Sequence, residues 1–373
     1  MANLFENILS KISGGNNNSI IGVDIGSSSI KVVQLKKNKG KAVLQTYGEI
    51  ALGPYAGIEI GRATKLPAET VAEAMLDLLK EANVSTPDAA MSIPMRSSMV
   101  SVFKMPDMKN QQLAQMVPIE ARKYIPVPIA EVSLDWFVIP KIEDEEMIPE
   151  TGKPSPQKFQ EVMTVAIHND ILNDFNLVVN KTGLKTSFFE VEMFSTARSV
   201  LEPGYLMPVM IVDIGAGATK VYITERGVVR ASHIIGKGSQ DITIAVSKSL
   251  GVPVDFAEKL KRSFGANSPQ QDEVIANISD ITMNPIFTDA NNILLKFQKE
   301  HNKNVSMVLL TGGGALLKGL TEKAQQKFGI QTIISNPFDK VETPAFLEGI
   351  LQQTGVMFAG AIGLAMRKLQ ELD

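Results

Sequence analysis

The chain has 373 residues, of which 44% are apolar and 21% charged, and its net charge is −3 at neutral pH. This composition is typical of a globular protein long enough for two domains, and it excludes a disordered or fibrous chain. The weak acidity provides no global basic field, so we predict no nucleic-acid partner. Disulfides are excluded because there is no cysteine, and three histidines without ligand spacing do not predict a zinc site.

No segment reaches the roughly 18 to 20 consecutive apolar residues of a membrane-spanning helix. The amino terminus has neither the basic start nor the cleavage site of a signal peptide. We therefore predict a cytoplasmic protein. Residues 1–18 place apolar side chains on one helical face before a run of glycine and asparagine, which predicts a short amphipathic segment on a flexible tether.

The first strong pattern is residues 20–35, IIGVDIGSSSIKVVQL, which read as strand, turn and strand. The turn Gly26–Ser29 has small side chains, and its backbone N–H groups can converge on an anion. Asp24 ends the first strand, and it can face a phosphate only through a hydrated divalent cation because like charges repel. The stretch therefore predicts a site for a nucleotide phosphate tail held with magnesium.

The next part of the chain predicts an insertion. A helix is predicted over 67–83, and from there residues 88–168 read as a compact α+β unit with a helix at 109–124 and strands at 131–139 and 162–167. Residues 141–158 are acidic and then rich in glycine and proline, which is typical of a solvated loop. The break at Pro203 and Gly204 is the predicted domain boundary.

A second hairpin follows this boundary, at 210–223, MIVDIGAGATKVYI. Asp213, Gly215 and Lys220 each lie 189 positions after their equivalents in the first hairpin (213 − 24 = 189). Helices are predicted beyond it over 239–250 and 254–263, and Asp255 with Glu258 three residues later resembles a capping box at the second one. A third glycine cluster, Gly312–Gly314, then follows an apolar run. The repeat predicts two domains that clasp one triphosphate between their hairpins.

Two other nucleotide-binding plans are excluded by the same residues. A P-loop needs GxxxxGK followed by serine or threonine, and the chain has no such string. A Rossmann loop opens into a helix, whereas both turns here lead into strands rich in β-branched residues.

These motifs carry a family resemblance over nearly the whole chain. VDIGSSSIKVV, VDIGAGATKVY and TGGGALLKGL resemble the first phosphate, second phosphate and adenosine motifs of the actin-like ATPase superfamily. PIEARKYIPVP at 118–128, Glu192-Met193-Phe194 and AGAIGLA at 359–365 are similar to the PilM family of type IV pilus assembly proteins, relatives of the division protein FtsA.

The resemblance implies an α/β, actin-like two-domain fold made of duplicated ribonuclease H-like domains with an FtsA-type α+β insertion. The first domain would span 19–203, with the insertion at 88–168. The second would span 204–349 and include a helical part at 237–304. The carboxy-terminal helix, 350–373, would pack back on the first domain.

The resemblance also implies the ligands, ATP and Mg²⁺, and the residues that hold them. Asp24 and Asp213 would organise water around magnesium. Lys259 would reach the ribose or base, and a solvated helix face is the alternative for this residue. The other residues implied in nucleotide binding are Gly26, Ser27, Ser28, Lys31, Gly215, Ala216, Gly217, Thr219, Gly312, Gly313 and Gly314.

Hydrolysis requires a residue that orients water toward the γ-phosphate. Glu192 occupies the family-like position at a helix start and is the candidate for this catalytic role, while a carboxylate placed there only by the helix dipole is the alternative. The family resemblance implies slow turnover at most, with ATP acting as a structural ligand or switch.

The family resemblance also implies which proteins this chain binds. The insertion would help to capture the cytoplasmic amino-terminal peptide of a PilN-like inner-membrane protein, near residues 92–103 and 120–128. The protein would join other pilus machinery and associate with the membrane only through its partners. One alternative is an FtsA-like division protein, although such chains typically end in a linker and a basic amphipathic membrane helix, whereas this sequence stops at Asp373 directly after its final predicted helix. The other is a small-molecule kinase of the same fold.

Overall fold

The computed structural model describes residues 19–140, 159–266 and 268–371. The predicted amino-terminal amphipathic segment and the predicted acidic loop at 141–158 lie outside these ranges. Within them, the strands are Ser19–Ile25 (β1), Ser29–Asn38 (β2), Lys41–Ala51 (β3), Asp88–Ile93 (β4), Ser98–Pro106 (β5), Val132–Ile139 (β6), Phe159–His168 (β7), Lys185–Val191 (β8), Val209–Ile214 (β9), Thr219–Glu225 (β10), Val228–Ile235 (β11), Met307–Thr311 (β12) and Thr332–Ile334 (β13).

The α-helices of the described chain follow the sequence patterns closely. They are Ala68–Glu81 (α1), Asn110–Ala121 (α2), Asn169–Thr182 (α3), Glu192–Val200 (α4), Ser239–Leu250 (α5), Val254–Arg262 (α6), Pro269–His301 (α7), Leu320–Phe328 (α8), Glu348–Thr354 (α9) and Ala359–Gln370 (α10). Helix α1 begins directly after Pro67, whose fixed φ suits a helix start. Pro118 lies inside α2 without ending it.

The two large sheets have the same topology. The first has the strand order β3-β2-β1-β4-β8 and the second β11-β10-β9-β12-β13. In each, the hairpin strands pair antiparallel, and the strand that starts the hairpin also pairs parallel with a later strand. The two sheets repeat one plan, so the predicted duplicated α/β fold is confirmed. The second sheet comes after Pro203 and Gly204, and the domain boundary at these residues stays a prediction.

The insertion is a separate compact unit, Pro94–Leu177. Its antiparallel sheet has the order β5-β7-β6, and α2 covers one face of it with Leu113, Val117 and Ala121 in the shared core. The unit begins later than the predicted residue 88. The reason is that β4 pairs parallel with both β1 and β8 and therefore belongs to the first large sheet.

Helix α10 packs against the first sheet. Its residues Ala361, Ile362, Leu364 and Ala365 are buried in one core with strand residues of β1, β2 and β4. Gly22 allows the close approach, because a Cβ on it would lie 1.8 Å from the carbonyl oxygen of Ala361. Helix α10 is therefore part of the core of the first sheet.

One stretch of the described chain, Ala345–Gln370, is long and apolar enough to cross a membrane, with a mean hydropathy of 1.3. It includes both α9 and α10, and 61% of its most apolar window is buried inside the fold. The apolar side chains of α10 pack in the core just described, so its composition is explained by burial.

Candidate functional site

The first hairpin presents an accessible turn that other parts of the domain hold in place. Gly26 N–H donates to Ser29 O at 3.0 Å and closes the turn. The carbonyl of Ser27 accepts a hydrogen bond from Thr64 N–H at 2.8 Å, and that of Ser28 accepts one from Leu52 N–H at 2.9 Å. Gly26 and Ser27 are exposed. Because its carbonyls are fixed from behind, the turn can present backbone N–H groups to an anion.

The second hairpin is held in the same way by the start of α5. Gly215 N–H donates to Ala218 O at 3.0 Å, Ser239 N–H donates to Gly215 O at 2.9 Å, and Gln240 N–H donates to Ala216 O at 3.0 Å. These bonds orient the turn's carbonyls toward α5, and Gly215, Ala216 and Gly217 remain partly exposed.

Thr219 is predicted to hold phosphate, and that role stays a prediction. Thr219 is fully buried, and its hydroxyl donates to the carbonyl of Lys237 at 2.9 Å. The side chain therefore supports the turn from inside the protein.

The two turns lie against each other across the cleft between the domains. A Cβ on Gly217 would be 3.3 Å from Ser27 Oγ and 3.1 Å from Ala63 Cβ. In addition, Ala63 N–H donates to Gln240 Oε1 at 2.7 Å. The structure thus brings together the two motifs that the sequence repeat predicts to clasp one ligand.

Three carboxylates and one lysine gather beside these turns. Lys220 Nζ lies 3.2 Å from Asp213 Oδ2 and 2.9 Å from Glu192 Oε2. Asp24 accepts a hydrogen bond from Ser92 Oγ at 2.6 Å. Burial alone would lower the pKa of the Lys220 ammonium, but the charges of Asp213, Glu192 and Asp24 outweigh it and raise that pKa above its usual value.

These carboxylates fit a hydrated magnesium ion better than a dehydrated one. Among the described residues, no group of three histidine, aspartate or glutamate side chains is arranged to hold a metal. Mg²⁺ keeps several of its waters and is bound through one or two carboxylates plus phosphate oxygens. Asp24 and Asp213, at the ends of the two hairpins' first strands, supply oxygens of this kind.

The glycine cluster lies next to the second hairpin because β12 pairs with β9, with Thr311 in register with Asp213. Gly312 has a φ of 80°, and a Cβ there would lie 2.4 Å from Asp213 Oδ1. Gly313 is exposed, and a Cβ on it would meet no atom within 4 Å. The cluster therefore combines a tight contact on one side with open space on the other, as a surface that a ligand approaches closely requires.

In helix α6 the predicted roles of Lys259 and Glu258 differ from the positions of their side chains. The side chain of Lys259 is 73% exposed and lies 3.7 Å from Asp255, so its predicted contact with a nucleotide stays a prediction. The predicted capping box is wrong, because Pro253 precedes the helix as its cap residue and provides no side-chain bond. Glu258 is buried and instead accepts hydrogen bonds from Thr243 and Arg262.

Glu258 and Lys261 are the buried charges of this helix. Lys261 Nζ lies 2.7 Å from Glu258 Oε2 and also donates to the carbonyl of Ser239 at 3.2 Å, which connects α6 to the residue that holds the second turn. Burial would raise the pKa of Glu258, but Lys261, Thr243 and Arg262 together lower it below its usual value. Helical spacing is the signal that could have identified Lys261 as the buried lysine. Lys261 follows buried Ala257 by four residues and lies on the same face of α6, whereas Lys259 lies on the opposite face of the helix.

The equivalent lysines of the two hairpins have different partners, and the predicted contact of Lys31 with phosphate stays a prediction. Lys31, implied in phosphate binding, donates to Ser29 Oγ at 2.6 Å and lies 3.2 Å from Glu49 Oε1. The sequence identifies Lys220 only as the repeat of Lys31, yet Lys220 is the lysine that lies among Asp213 and Glu192. The constant offset of 189 was the signal that could have added it to the predicted site.

Comparison with known proteins agrees with this geometry. A sequence profile of the family described as type IV pilus assembly protein PilM matches residues 22–369. The chain belongs to the PilM family. Cell division protein FtsA of Streptococcus pneumoniae serotype 2 is 23% identical over 91% of this chain and 82% of its own length.

Solved structures show the fold that PilM-family membership implies. A PilM-PilN type IV pilus biogenesis complex superposes with a TM-score of 0.76 and 23% identity, covering 94% of this chain and 98% of the other. MreB 5 of Spiroplasma citri bound to AMPPNP gives a TM-score of 0.51 at 11% identity, with 95% and 98% covered. The fold is therefore actin-like, as the sequence motifs predict, and it is one found in nucleotide-binding proteins.

Proposed function

We propose that the protein is a cytoplasmic ATP-binding scaffold of a type IV pilus machine, which captures the amino-terminal peptide of a PilN-like inner-membrane protein. The observation that carries this proposal is the PilM family match over residues 22–369. It is supported by the likeness to a PilM-PilN complex. Attachment to the membrane and to other pilus components would then run through these partners.

ATP with Mg²⁺ is the proposed ligand of the cleft between the hairpins. The turns at Gly26–Ser28 and Gly215–Gly217 would hold the phosphates through backbone N–H groups, and Gly312–Gly314 would lie against the adenosine. Bound magnesium would supply positive charge to the phosphates, with Asp24 and Asp213 holding its waters. Glu192 remains the candidate for orienting water, and its ion pair with Lys220 is consistent with a ligand that is held rather than rapidly hydrolysed.

The insertion offers the surface proposed for the peptide. Phe103 and Tyr124 belong to the two segments predicted to capture it, and their rings are stacked with centroids 5.0 Å apart and planes inclined by 3°. Tyr124 is 47% exposed. Other apolar side chains of the same unit are also exposed, namely Val102, Met116, Ile119, Phe137 and Phe159. Exposed apolar and aromatic groups of this kind are typical of surfaces that bind another chain.

The test is binding of a synthetic peptide with the cytoplasmic amino-terminal sequence of a PilN-like protein from the same organism, measured with and without ATP. We expect the intact chain to bind it, and Tyr124→Ala to weaken binding by about tenfold or more, since aromatic anchors dominate such interfaces. Phe346→Ala is the matched control, because Phe346 is 81% exposed in the other unit and should not matter.

Undiminished binding after removal of residues 94–177, or equal losses in both point variants, would reject the insertion as the peptide site. Equal peptide affinity with and without ATP would be compatible with a scaffold and would contradict the role of the nucleotide as a switch.

A further inference from the structure

One residue at the start of α5, Gln240, connects the turns of both hairpins. Its backbone N–H donates to the carbonyl of Ala216 in the second turn at 3.0 Å. Its carboxamide oxygen accepts the N–H of Ala63 at 2.7 Å. The next residue, Thr64, donates its own N–H to the carbonyl of Ser27 in the first turn at 2.8 Å. The two turns are therefore joined through the backbone and the side chain of Gln240.

The partner of this carboxamide determines its orientation. A backbone N–H can only donate, so the side-chain atom that lies 2.7 Å from the nitrogen of Ala63 must be the oxygen of Gln240. The other side-chain atom is then the nitrogen, which carries two donor hydrogens. This nitrogen lies 3.6 Å from the Cβ position of Gly217. The donor side of Gln240 is therefore beside the second turn.

The hydroxyl of the first turn approaches the same point. Ser27 Oγ lies 3.3 Å from the Cβ position of Gly217, so each domain places a hydrogen-bond donor where the two turns meet. An amide and a hydroxyl donate to an anion without adding charge. Such donors act together with the magnesium ion proposed for the neighbouring carboxylates and do not replace it.

The position of these donors indicates which part of a nucleotide they would meet. The proposed adenosine surface, Gly312–Gly314, lies against Asp213 and Ile214, at the strand end of the second hairpin. Ser27 and Gly217 instead lie between the strands of their hairpins, at the tips of the turns. The third phosphate of ATP is the phosphate farthest from the adenosine. It is therefore the phosphate expected at the point where the tips of the turns meet.

We propose that the Gln240 carboxamide recognises the third phosphate of a nucleoside triphosphate, with its nitrogen donating to that phosphate while its oxygen holds Ala63 of the first domain. One side chain then joins the presence of the third phosphate to the spacing of the two turns. The inference rests on the proposed nucleotide binding, and it adds the residue that distinguishes a triphosphate from a diphosphate.

The experiment is a calorimetric titration of the full chain, in excess magnesium chloride, with AMPPNP and separately with ADP. In Gln240→Glu the acceptor for Ala63 is kept, whereas the donor is replaced by a negative oxygen. We expect AMPPNP affinity to fall by about 100-fold or more in this variant and ADP affinity by less than about tenfold, because only AMPPNP has the third phosphate. Gln240→Ala removes the donor without adding charge, so its AMPPNP affinity should fall by only about tenfold.

Gln325→Glu is the matched control. The carboxamide oxygen of Gln325 also accepts a backbone N–H, that of Thr332 at 3.3 Å. Thr332 pairs with Val308, at the end of β12 that is remote from the glycine cluster. The same chemical change outside the cleft should leave both affinities unchanged. A glutamate in the first turn of α5 is favoured by the helix dipole, so Gln240→Glu should fold, and thermal melting checks this.

The results separate this inference from the proposed function. Wild-type affinities in Gln240→Glu, or equal losses for AMPPNP and ADP, overturn the role of Gln240 while nucleotide binding stands. A smaller loss of AMPPNP affinity in Gln240→Glu than in Gln240→Ala also overturns it, because the oxygen would then be the only part of the side chain that matters. Absence of binding of both nucleotides by the wild type overturns the proposed nucleotide binding and this inference with it.

Discussion

Alanine in place of Gly312 is expected to lower the free energy of unfolding by about 2–4 kcal/mol, from left-handed backbone strain together with overpacking. The residue has a φ of 80°, a region that alanine disfavours. The new Cβ would also lie 2.4 Å from Asp213 Oδ1 and 2.7 Å from the carbonyl oxygen of Ile214. Both neighbours belong to β9, the strand that leads into the turn of the second hairpin, so the strain is placed at the proposed nucleotide site.

Urea unfolding of Gly312→Ala beside Gly313→Ala measures this effect. Gly313 is the neighbouring residue with open space around its Cβ position, so its replacement should change stability by less than about 0.5 kcal/mol. Equal stability of the two variants would contradict the arrangement of this turn against Asp213.

A second large effect is expected at Gly363, where α10 crosses α4. A Cβ there would lie 1.8 Å from the carbonyl oxygen of Ser195, a backbone atom that cannot move without shifting a helix. The carbonyl of Gly363 also accepts a hydrogen bond from Arg198 at 3.1 Å. We expect Gly363→Ala to cost about 3 kcal/mol or more, at the upper end of overpacking effects.

Gly349→Ala is the control for Gly363→Ala. Gly349 lies in helix α9, and a Cβ on it would meet nothing within 4 Å. Because alanine has the higher helix propensity, this change should be neutral or stabilise by up to about 1 kcal/mol. Thermal melting of both variants gives the comparison, and a loss of stability in Gly349→Ala as large as that in Gly363→Ala would contradict the packing described for α10.

The fold could be predicted from the sequence because its signals are local and repeated. Each hairpin combines β-branched strands with a turn of small residues, and the constant offset between Asp24 and Asp213 shows that the plan occurs twice. The duplicated sheet order follows from these units. The first residue of the insertion is harder to predict. Strand β4 is short, and it joins the first sheet by pairing with β8, a strand more than ninety residues later in the chain.

The candidate site could be predicted at the level of motifs and not of side-chain partners. Two lysines in equivalent positions gave identical signals, and only the presence of Glu49 beside one and Glu192 beside the other distinguishes them. Lys259 and Lys261 differ because helix phase buries one and exposes the other. The ion-pair partners of the two hairpin lysines come from distant parts of the chain, so they cannot be predicted from the local sequence around each lysine.

We propose that one ATP is held between the turns of the two hairpins. An ATP titration of wild type and Gly217→Val tests this most directly. Valine would place atoms at the point where Ser27 Oγ and Ala63 Cβ lie 3.3 and 3.1 Å from the Cβ position, and it would force the turns apart. We predict saturable binding of one ATP per wild-type chain and a loss of affinity of about 100-fold or more in the variant. No binding by the wild type, or equal affinity in both proteins, would contradict the claim.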